Sequence, residues 1–64
     1  MSAVGRSIER HYTTRELAEL LAVHPETVRR EAQRRRLRSV RVGSERRYPE
    51  SAVQEYLDRL SEAS

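Results

Sequence analysis

Arginine clusters in the middle third of this chain, and the chemistry of its guanidinium groups is the most informative feature of the sequence. Nine of the thirteen arginines fall between Arg29 and Arg47, a segment with only two acidic residues, Glu31 and Glu45. This segment carries a formal charge of +7, whereas the other four arginines and eight acidic residues give −4. So many like charges repel one another unless a polyanion binds there. The cluster therefore predicts a nucleic-acid-binding face.

The residue types that other kinds of function require are missing. The sequence has no cysteine, and His11 and His24 lack a partner pair at metal-ligand spacing, so we expect no metal site and no cofactor. Without a nucleophile–base pair, a carboxylate pair or a glycine-rich phosphate loop, we expect no catalytic residue and no enzyme. The longest apolar run, 20–23, is far shorter than the ~20 residues of a membrane span, and there is no signal peptide. We expect a cytoplasmic, single-domain protein.

The first ordered element that the sequence predicts is a short helix over residues 14–22. Thr13 and Glu16 have the spacing of a capping box, in which each side chain satisfies a free amide at the helix start. Leucines at helical spacing predict its buried stripe: Leu17, Leu20 and Leu21. Residues 1–11 are polar and aperiodic, so we expect them to form a mobile leader.

A second helix is predicted to begin at Pro25, after a tight turn. Proline is favoured at the first position of a helix, where His24 would be the cap and Glu26 would lie near the positive end of the dipole. Helix, tight turn and helix form the helix-turn-helix arrangement. With Val28 and Ala32 facing inward, the opposite side of this helix presents charged and polar side chains: Glu26, Arg29, Arg30, Gln33 and Arg34.

A two-stranded hairpin is predicted to follow the second helix. Val40 and Val42 alternate with Arg41, as in a half-buried strand. A turn at 43–45 leads into a second strand that Pro49 ends. A hairpin of this size is marginal alone and must lean on the helices. We expect it to be a wing with arginines at its tip.

A third helix is predicted over residues 50–60. Its apolar residues at helical spacing are Val53, Tyr56, Leu57 and Leu60. The polar side carries Glu55 and Asp58, whose charge would keep this helix away from a polyanion. Residues 61–64 are expected to form a short tail.

The order and spacing of these elements resemble the excisionase-type, MerR-like winged helix-turn-helix family. The matching segments are YTTRELA at 12–18, LAVHPETVRR at 21–30, LRSVRVG at 37–43, RYP at 47–49 and YL at 56–57. The resemblance covers about residues 12–60. It implies a mainly α fold with a small β-hairpin, with the second helix in the major groove of DNA and the wing against the minor groove or the backbone.

This sequence departs from the family at the end of the second helix. The family usually has a glycine where Arg35 stands. A helix that ends in a left-handed residue prefers glycine, so we expect this helix end to be differently shaped or slightly strained. The usual serine-like cap of the second helix is His24 here, which is a poorer cap.

The outward face of the second helix and the resemblance together give the candidate DNA-binding residues. They are Pro25, Glu26, Thr27, Arg29, Arg30, Gln33 and Arg34 on the helix, and Ser44, Arg46 and Arg47 on the wing. Arg30 and Gln33 point most directly outward, so we expect them at base edges, arginine on guanine and glutamine on adenine. Arg29 and Arg34 lie toward the flanks and are expected to hold phosphates.

Structural alternatives to these assignments stay open. The helix arginines could form a solvated face paired with acids, although few acids lie nearby. Thr27 could pack instead of donating to a phosphate. Arg47 could be occupied beneath Tyr48, which makes Arg46 the stronger wing candidate. The basic run from Arg34 to Arg38 could be a localisation signal, and the three tyrosines are expected in the core rather than stacked on bases.

The resemblance implies an architectural DNA-binding protein, and most specifically an excisionase, or recombination directionality factor. Such a protein of a phage or integrative element binds and bends attachment-site DNA and directs an integrase toward excision. We expect a monomer in the bacterial cytoplasm that binds double-stranded DNA, an integrase and, on adjacent sites, further copies of itself. A small winged-helix transcriptional regulator is the alternative, and a protein-interaction adaptor the second. Since four residues follow Leu60, no MerR-type dimerisation helix is expected.

Overall fold

The computed structural model describes residues 9–63. In chain order, the elements of this part are β1 (His11–Tyr12), α1 (Thr14–Leu21), α2 (Pro25–Gln33), β2 (Val40–Val42), β3 (Glu45–Pro49) and α3 (Glu50–Ala63). The strands form one antiparallel sheet in the order β1-β3-β2. Three helices on a small antiparallel sheet are a winged helix-turn-helix, which confirms the predicted fold class. The sheet, however, has a third strand that the sequence did not indicate.

The predicted mobile leader, 1–11, is wrong for its last residues. His11 belongs to β1, which pairs with β3. The backbone amide of Glu50 also donates to the carbonyl of Arg10 at 2.9 Å. The order of this segment comes from pairing with residues far along the chain, which local polarity does not reveal. The rest of the predicted leader, 1–8, lies outside the described residues.

Both predicted helix starts have the caps that the sequence indicates. The hydroxyl of Thr13 accepts from the amide of Glu16, whose carboxylate accepts from the amide of Thr13, each at 3.0 Å. His24 caps α2, since its Nδ1 accepts from the amide of Glu26 at 3.0 Å, and Pro25 follows at the first helical position. The two helices are therefore fixed on either side of a three-residue turn.

The core lies between α1, α2, β3 and the first turns of α3. Its largest fully buried side chains are Tyr48, Leu17, Leu37 and Val28. The hydroxyl of Thr14 donates to that of Tyr48 at 3.3 Å. Three leucines predicted in the apolar stripes are instead exposed, namely Leu20, Leu57 and Leu60. Helical spacing predicts which face is apolar, but not how far the neighbouring elements extend to cover it.

The third helix is longer than predicted. It runs to Ala63, so the expected end at Leu60 and the expected tail, 61–64, are wrong for residues 61–63. No proline or glycine follows Leu60 to stop the helix. Only the first turns of α3 enter the core, where Ala52 and Val53 are buried.

Glu9 caps the start of α3. Its carboxylate accepts from the backbone amide of Ser51 at 2.7 Å and from the Ser51 hydroxyl at 3.3 Å. The bond from the backbone amide, more than any other contact, lowers the pKa of the Glu9 carboxyl below its ordinary value. The charge also lies at the positive end of the helix.

Replacing Glu9 with glutamine should remove a stabilising contribution that depends on pH. Because the folded pKa of Glu9 is depressed, the contribution is present above the ordinary glutamate pKa and is lost as the pH falls through the lower folded value. In thermal melts, the wild type should exceed Glu9→Gln in Tm at neutral pH, and the two should converge as the pH falls below the folded pKa of Glu9. A Tm difference that is the same above and below that pKa would contradict the capping role.

Arg35 ends α2 in the left-handed conformation. Its φ is 60°, in the region that favours glycine. The amides of Arg35, Arg36 and Leu37 donate to the carbonyls of Ala32, Glu31 and Glu31 at 3.0, 2.9 and 3.2 Å. These bonds close the helix end around a strained residue, as expected from the missing glycine.

Arg35→Gly should therefore raise the free energy of unfolding by up to about 1 kcal/mol, because glycine adopts positive φ without steric cost. Arg34→Gly is the matched control, since Arg34 is exposed and has an ordinary φ of −85°. The control should be neutral or destabilising. Urea denaturation measures both, and a loss of stability in Arg35→Gly equal to that in Arg34→Gly would contradict the strain.

Candidate nucleic-acid interface

The side of α2 opposite its buried residues carries most of the predicted DNA-binding residues. Val28 and Ala32 are buried. The exposed residues are Glu26, Arg29, Arg30, Gln33 and Arg34. Within residues 9–63, the side chains of Arg30, Gln33 and Arg34 form no hydrogen bond or ion pair. Three polar side chains without such partners on one exposed helix face are suited to contact base edges and phosphates.

Arg29 is paired with Glu26 on the same face. Its Nη1 lies 3.1 Å from the Glu26 Oε1, and both side chains are exposed. An exposed pair at this spacing contributes only about 0.3–0.5 kcal/mol. A phosphate can therefore displace the glutamate from Arg29 at little cost.

Two predicted residues are set back from this face. Pro25 and Thr27 are half-buried. Thr27 lines an apolar groove of about 150 Å³ on the α3 side of α2, together with the exposed Leu57 and Leu60. The structure therefore places Thr27 at the edge of this groove, on the side of α2 toward α3.

The wing is formed by β2 and β3. Its turn is made by Gly43, whose φ is 66°, and by the exposed Ser44. Arg41 and Arg46 lie directly opposite each other in the ladder. Since side chains alternate along a strand, Arg46 lies on the same face as Tyr48, which is buried against the helices. Arg41 and Arg46 therefore face α1 and α2 rather than the outside of the wing.

The two predicted wing arginines each have a partner. Arg47 lies 2.6 Å from Glu45, its neighbour on the same strand face, and its side chain is 29% exposed. Arg46 donates to the hydroxyl of Ser39 at 3.4 Å. Neither guanidinium is fully buried, so both remain available at the surface.

A pocket of about 390 Å³, open to solvent, lies where α1, α2 and the wing meet. Five arginines line it, namely Arg15, Arg29, Arg41, Arg46 and Arg47. Ser44 also lines it, so the pocket brings together four residues of the sequence prediction. Arg15 and Arg41 were missed. The alternation of the strand could have indicated Arg41, whereas nothing local indicates that the first turn of α1 meets the wing.

Other arginines of the basic segment bond to neighbouring residues of the domain. Arg38 donates to Ser51 at 3.1 Å and to Glu55 at 3.4 Å, so it is turned toward α3. Arg36 lies 3.6 Å from Glu31. The basic run is therefore divided between exposed arginines with partners, Arg36 and Arg38, and Arg34, which has none within residues 9–63, and this argues against a uniform localisation signal.

Within 9–63, no three acidic or histidine side chains are placed to hold a metal ion. None of the helices in this range has the length and apolarity to cross a bilayer. The pKa of Tyr56 is raised by burial and by the nearby Glu31, to which its hydroxyl donates at 3.2 Å. This bond ties α3 to α2 on the side away from the pocket.

Comparison with known proteins agrees with this geometry. A family model described as a helix-turn-helix domain matches residues 12–61. No significant match was found among curated proteins or solved structures. A helix-turn-helix domain supports sequence-specific binding of DNA. Because the matched residues make up well over half of the sequence, the chain belongs to this helix-turn-helix domain family.

Proposed function

We propose that this helix-turn-helix protein is an excisionase of a phage or integrative element, of the MerR-like winged type. It would bind attachment-site DNA, bend it and direct an integrase toward excision, without catalysing a step itself. The observation that carries the proposal is the basic surface with two separate arms, the outward face of α2 and the wing, joined by a pocket lined with five arginines.

In this proposal α2 occupies the major groove. Arg30 and Gln33 contact base edges, while Arg29 and Arg34 hold phosphates on either side. The free guanidiniums of Arg30 and Arg34 support these roles, since neither has a partner within residues 9–63. Pro25 and Glu26 begin the helix beside the groove. From the first turn of α2, Thr27 is proposed to donate to a phosphate, and it lies on the side of the helix toward α3.

The wing is proposed to contact the minor groove or the backbone through Ser44, Arg46 and Arg47. Arginine is the residue most often inserted into a narrow minor groove. A duplex that touches both arms gains phosphate contacts when it curves around them. These contacts offset a bending cost on the order of 1–6 kcal/mol.

Neighbouring copies are proposed to bind adjacent sites. A single module of this kind buries roughly 600–1,000 Å² of protein surface on DNA, which gives modest affinity alone. Cooperative binding of several copies, together with an integrase partner, would supply the remaining affinity. This part of the proposal rests on the small size of the domain and on the resemblance of its sequence to excisionases.

An excision assay on the attachment sites of the encoding element tests the proposal. With the element's integrase, recombination in the excisive direction should require the wild-type protein. Arg30→Ala should lower the yield, and Arg59→Ala on α3 should not. Binding and bending of DNA with no effect on excision would refute the excisionase role and favour the transcriptional regulator. Failure to bind DNA, with capture by an acidic protein surface, would favour the adaptor.

A further inference from the structure

We propose that the pocket between α1, α2 and the wing is a preformed site for a phosphodiester of the DNA backbone, with Arg15 and Arg41 as its anchors. This inference rests on the proposed DNA-binding function. It adds two residues that lie outside the α2 face and the tip of the wing, and it gives α1 a direct role in binding.

The positive charge of the pocket is only partly compensated. Five arginines line it against one glutamate, Glu45. Within residues 9–63, the side chains of Arg15 and Arg41 form no hydrogen bond or ion pair. Arg29 and Arg47 are each paired with an exposed glutamate, and such pairs are weak. An anion that enters the pocket therefore meets the unpaired Arg15 and Arg41, and Arg29, whose ion pair is weak.

The pairing of Arg41 with Arg46 also points to an anion. These residues face each other across β2 and β3 on the side toward the helices. Like charges directly opposite in an antiparallel pair destabilise a sheet. An anion between the two guanidiniums would reduce their repulsion and so stabilise the short hairpin. Within residues 9–63, neither of these arginines forms an ion pair with an acidic side chain.

Hydroxyl groups complete the lining. Thr13 and Thr14 lie at the start of α1, at the positive end of that helix, and Ser44 lies at the tip of the wing. The guanidiniums and the hydroxyls of Thr13 and Ser44 are donors that match the acceptor oxygens of a phosphate, whereas the Thr14 hydroxyl already donates to Tyr48. The donor set excludes a cation as the ligand.

The position of the pocket favours a polymer over a small molecule. It opens between α2 and the wing, the two arms proposed to contact DNA. When α2 occupies the major groove, the sugar–phosphate backbone beside that groove passes this opening. A volume of about 390 Å³ that is open to solvent admits a phosphodiester with its flanking sugars.

The test compares two double variants that remove the same charge. Arg15→Gln/Arg41→Gln alters the pocket at two exposed residues without partners. Arg10→Gln/Arg59→Gln is the control, because neither residue lines the pocket. Arg10 lies over the Tyr12 ring, and Arg59 donates to the Arg36 carbonyl. Thermal melts establish that both variants fold. A mixed-sequence DNA duplex of about 20 base pairs is the probe, titrated at several salt concentrations.

The pocket variant should bind the duplex about tenfold more weakly for each phosphate that it no longer holds, and by the same factor for unrelated sequences. Its plot of log K against log salt should be shallower by about 0.9 for each of these phosphates. The control should keep the wild-type slope. Arg15→Lys/Arg41→Lys should restore most of the slope, because lysine keeps the charge. Equal reductions of affinity in the pocket variant and the control would overturn the inference.

The same experiment separates this inference from the proposed function. If the wild type fails to bind the duplex at low salt, the DNA-binding function fails together with the DNA role of the pocket. Inorganic phosphate, titrated into isotope-labelled protein and followed by NMR, then reports on the anion site alone. Shifts at the Thr14 and Arg15 amides that vanish in the pocket variant would keep the site as one for free phosphate, and their absence would overturn it.

Discussion

Leu17→Ala should lower the free energy of unfolding by about 3 kcal/mol or more, whereas Leu20→Ala should change it by less than about 0.5 kcal/mol. The two leucines lie three residues apart on α1, and the sequence alone predicts both in the buried stripe. In the structure, Leu17 is 0% exposed and Leu20 is 59% exposed. The pair therefore forms a matched comparison of the same substitution in one helix.

The expected destabilisation at Leu17 is large for a domain of 64 residues. At the usual stability per residue, the free energy of unfolding of the whole domain is roughly 3–10 kcal/mol. Leu17→Ala leaves a cavity among Val28, Leu37 and Tyr48, which are all fully buried. Urea denaturation followed by circular dichroism measures both variants. Similar destabilisation by the two substitutions would mean that the core extends over the outer side of α1.

Arg30→Ala should weaken binding to the preferred DNA sequence by about 1–3 kcal/mol and relax the base preference at one position. Arg30 is exposed on the outward face of α2 and has no partner within residues 9–63. Its guanidinium can therefore reach a base edge without first breaking a contact.

Arg29→Ala is the informative comparison for Arg30→Ala. Arg29 lines the pocket beside the wing, where a phosphate contact is expected, so its removal should weaken all sequences alike. Selection from a random duplex library, followed by affinity measurements on chosen sequences, separates the two effects. Arg59→Ala on α3 serves as the control for charge alone. Identical changes in sequence preference for Arg29→Ala and Arg30→Ala would refute the division between base and phosphate contacts.

Local sequence signals predicted the parts of the fold that local physics determines. The capping box of Thr13 and Glu16 and the Pro25 start of α2 act within a few residues, and both are present. The missing glycine at Arg35 predicted strain, and the residue has a positive φ. Such features depend on backbone geometry nearby, so the sequence is sufficient to identify them.

Features that depend on distant residues could not be predicted in the same way. Strand β1 is only two residues long and owes its existence to pairing with β3. The exposure of Leu57 and Leu60 depends on how far β3 and α2 extend beneath α3. Helical spacing carries no information on either point.

The residues of the candidate site also divide into those that local sequence predicts and those that depend on distant contacts. The outward face of α2 follows from helical period, so Arg30, Gln33 and Arg34 could be identified from sequence. The pocket requires the first turn of α1 to meet the wing, and that contact exists only in the folded molecule. Arg15 was missed for this reason. Arg38 lies on the segment before β2, and its bonds to Ser51 and Glu55 show that it faces α3.

The salt dependence of DNA binding by the wild-type protein tests the central claim most directly. If the two arms and the pocket together neutralise about five phosphates, log K should fall with log salt concentration with a slope of about −4.5 on duplex DNA. The measurement needs no knowledge of the preferred sequence, because phosphate contacts are shared by all sequences. A slope near −4.5 is the result expected for this basic surface. A slope near zero, or no binding at low salt, would contradict it.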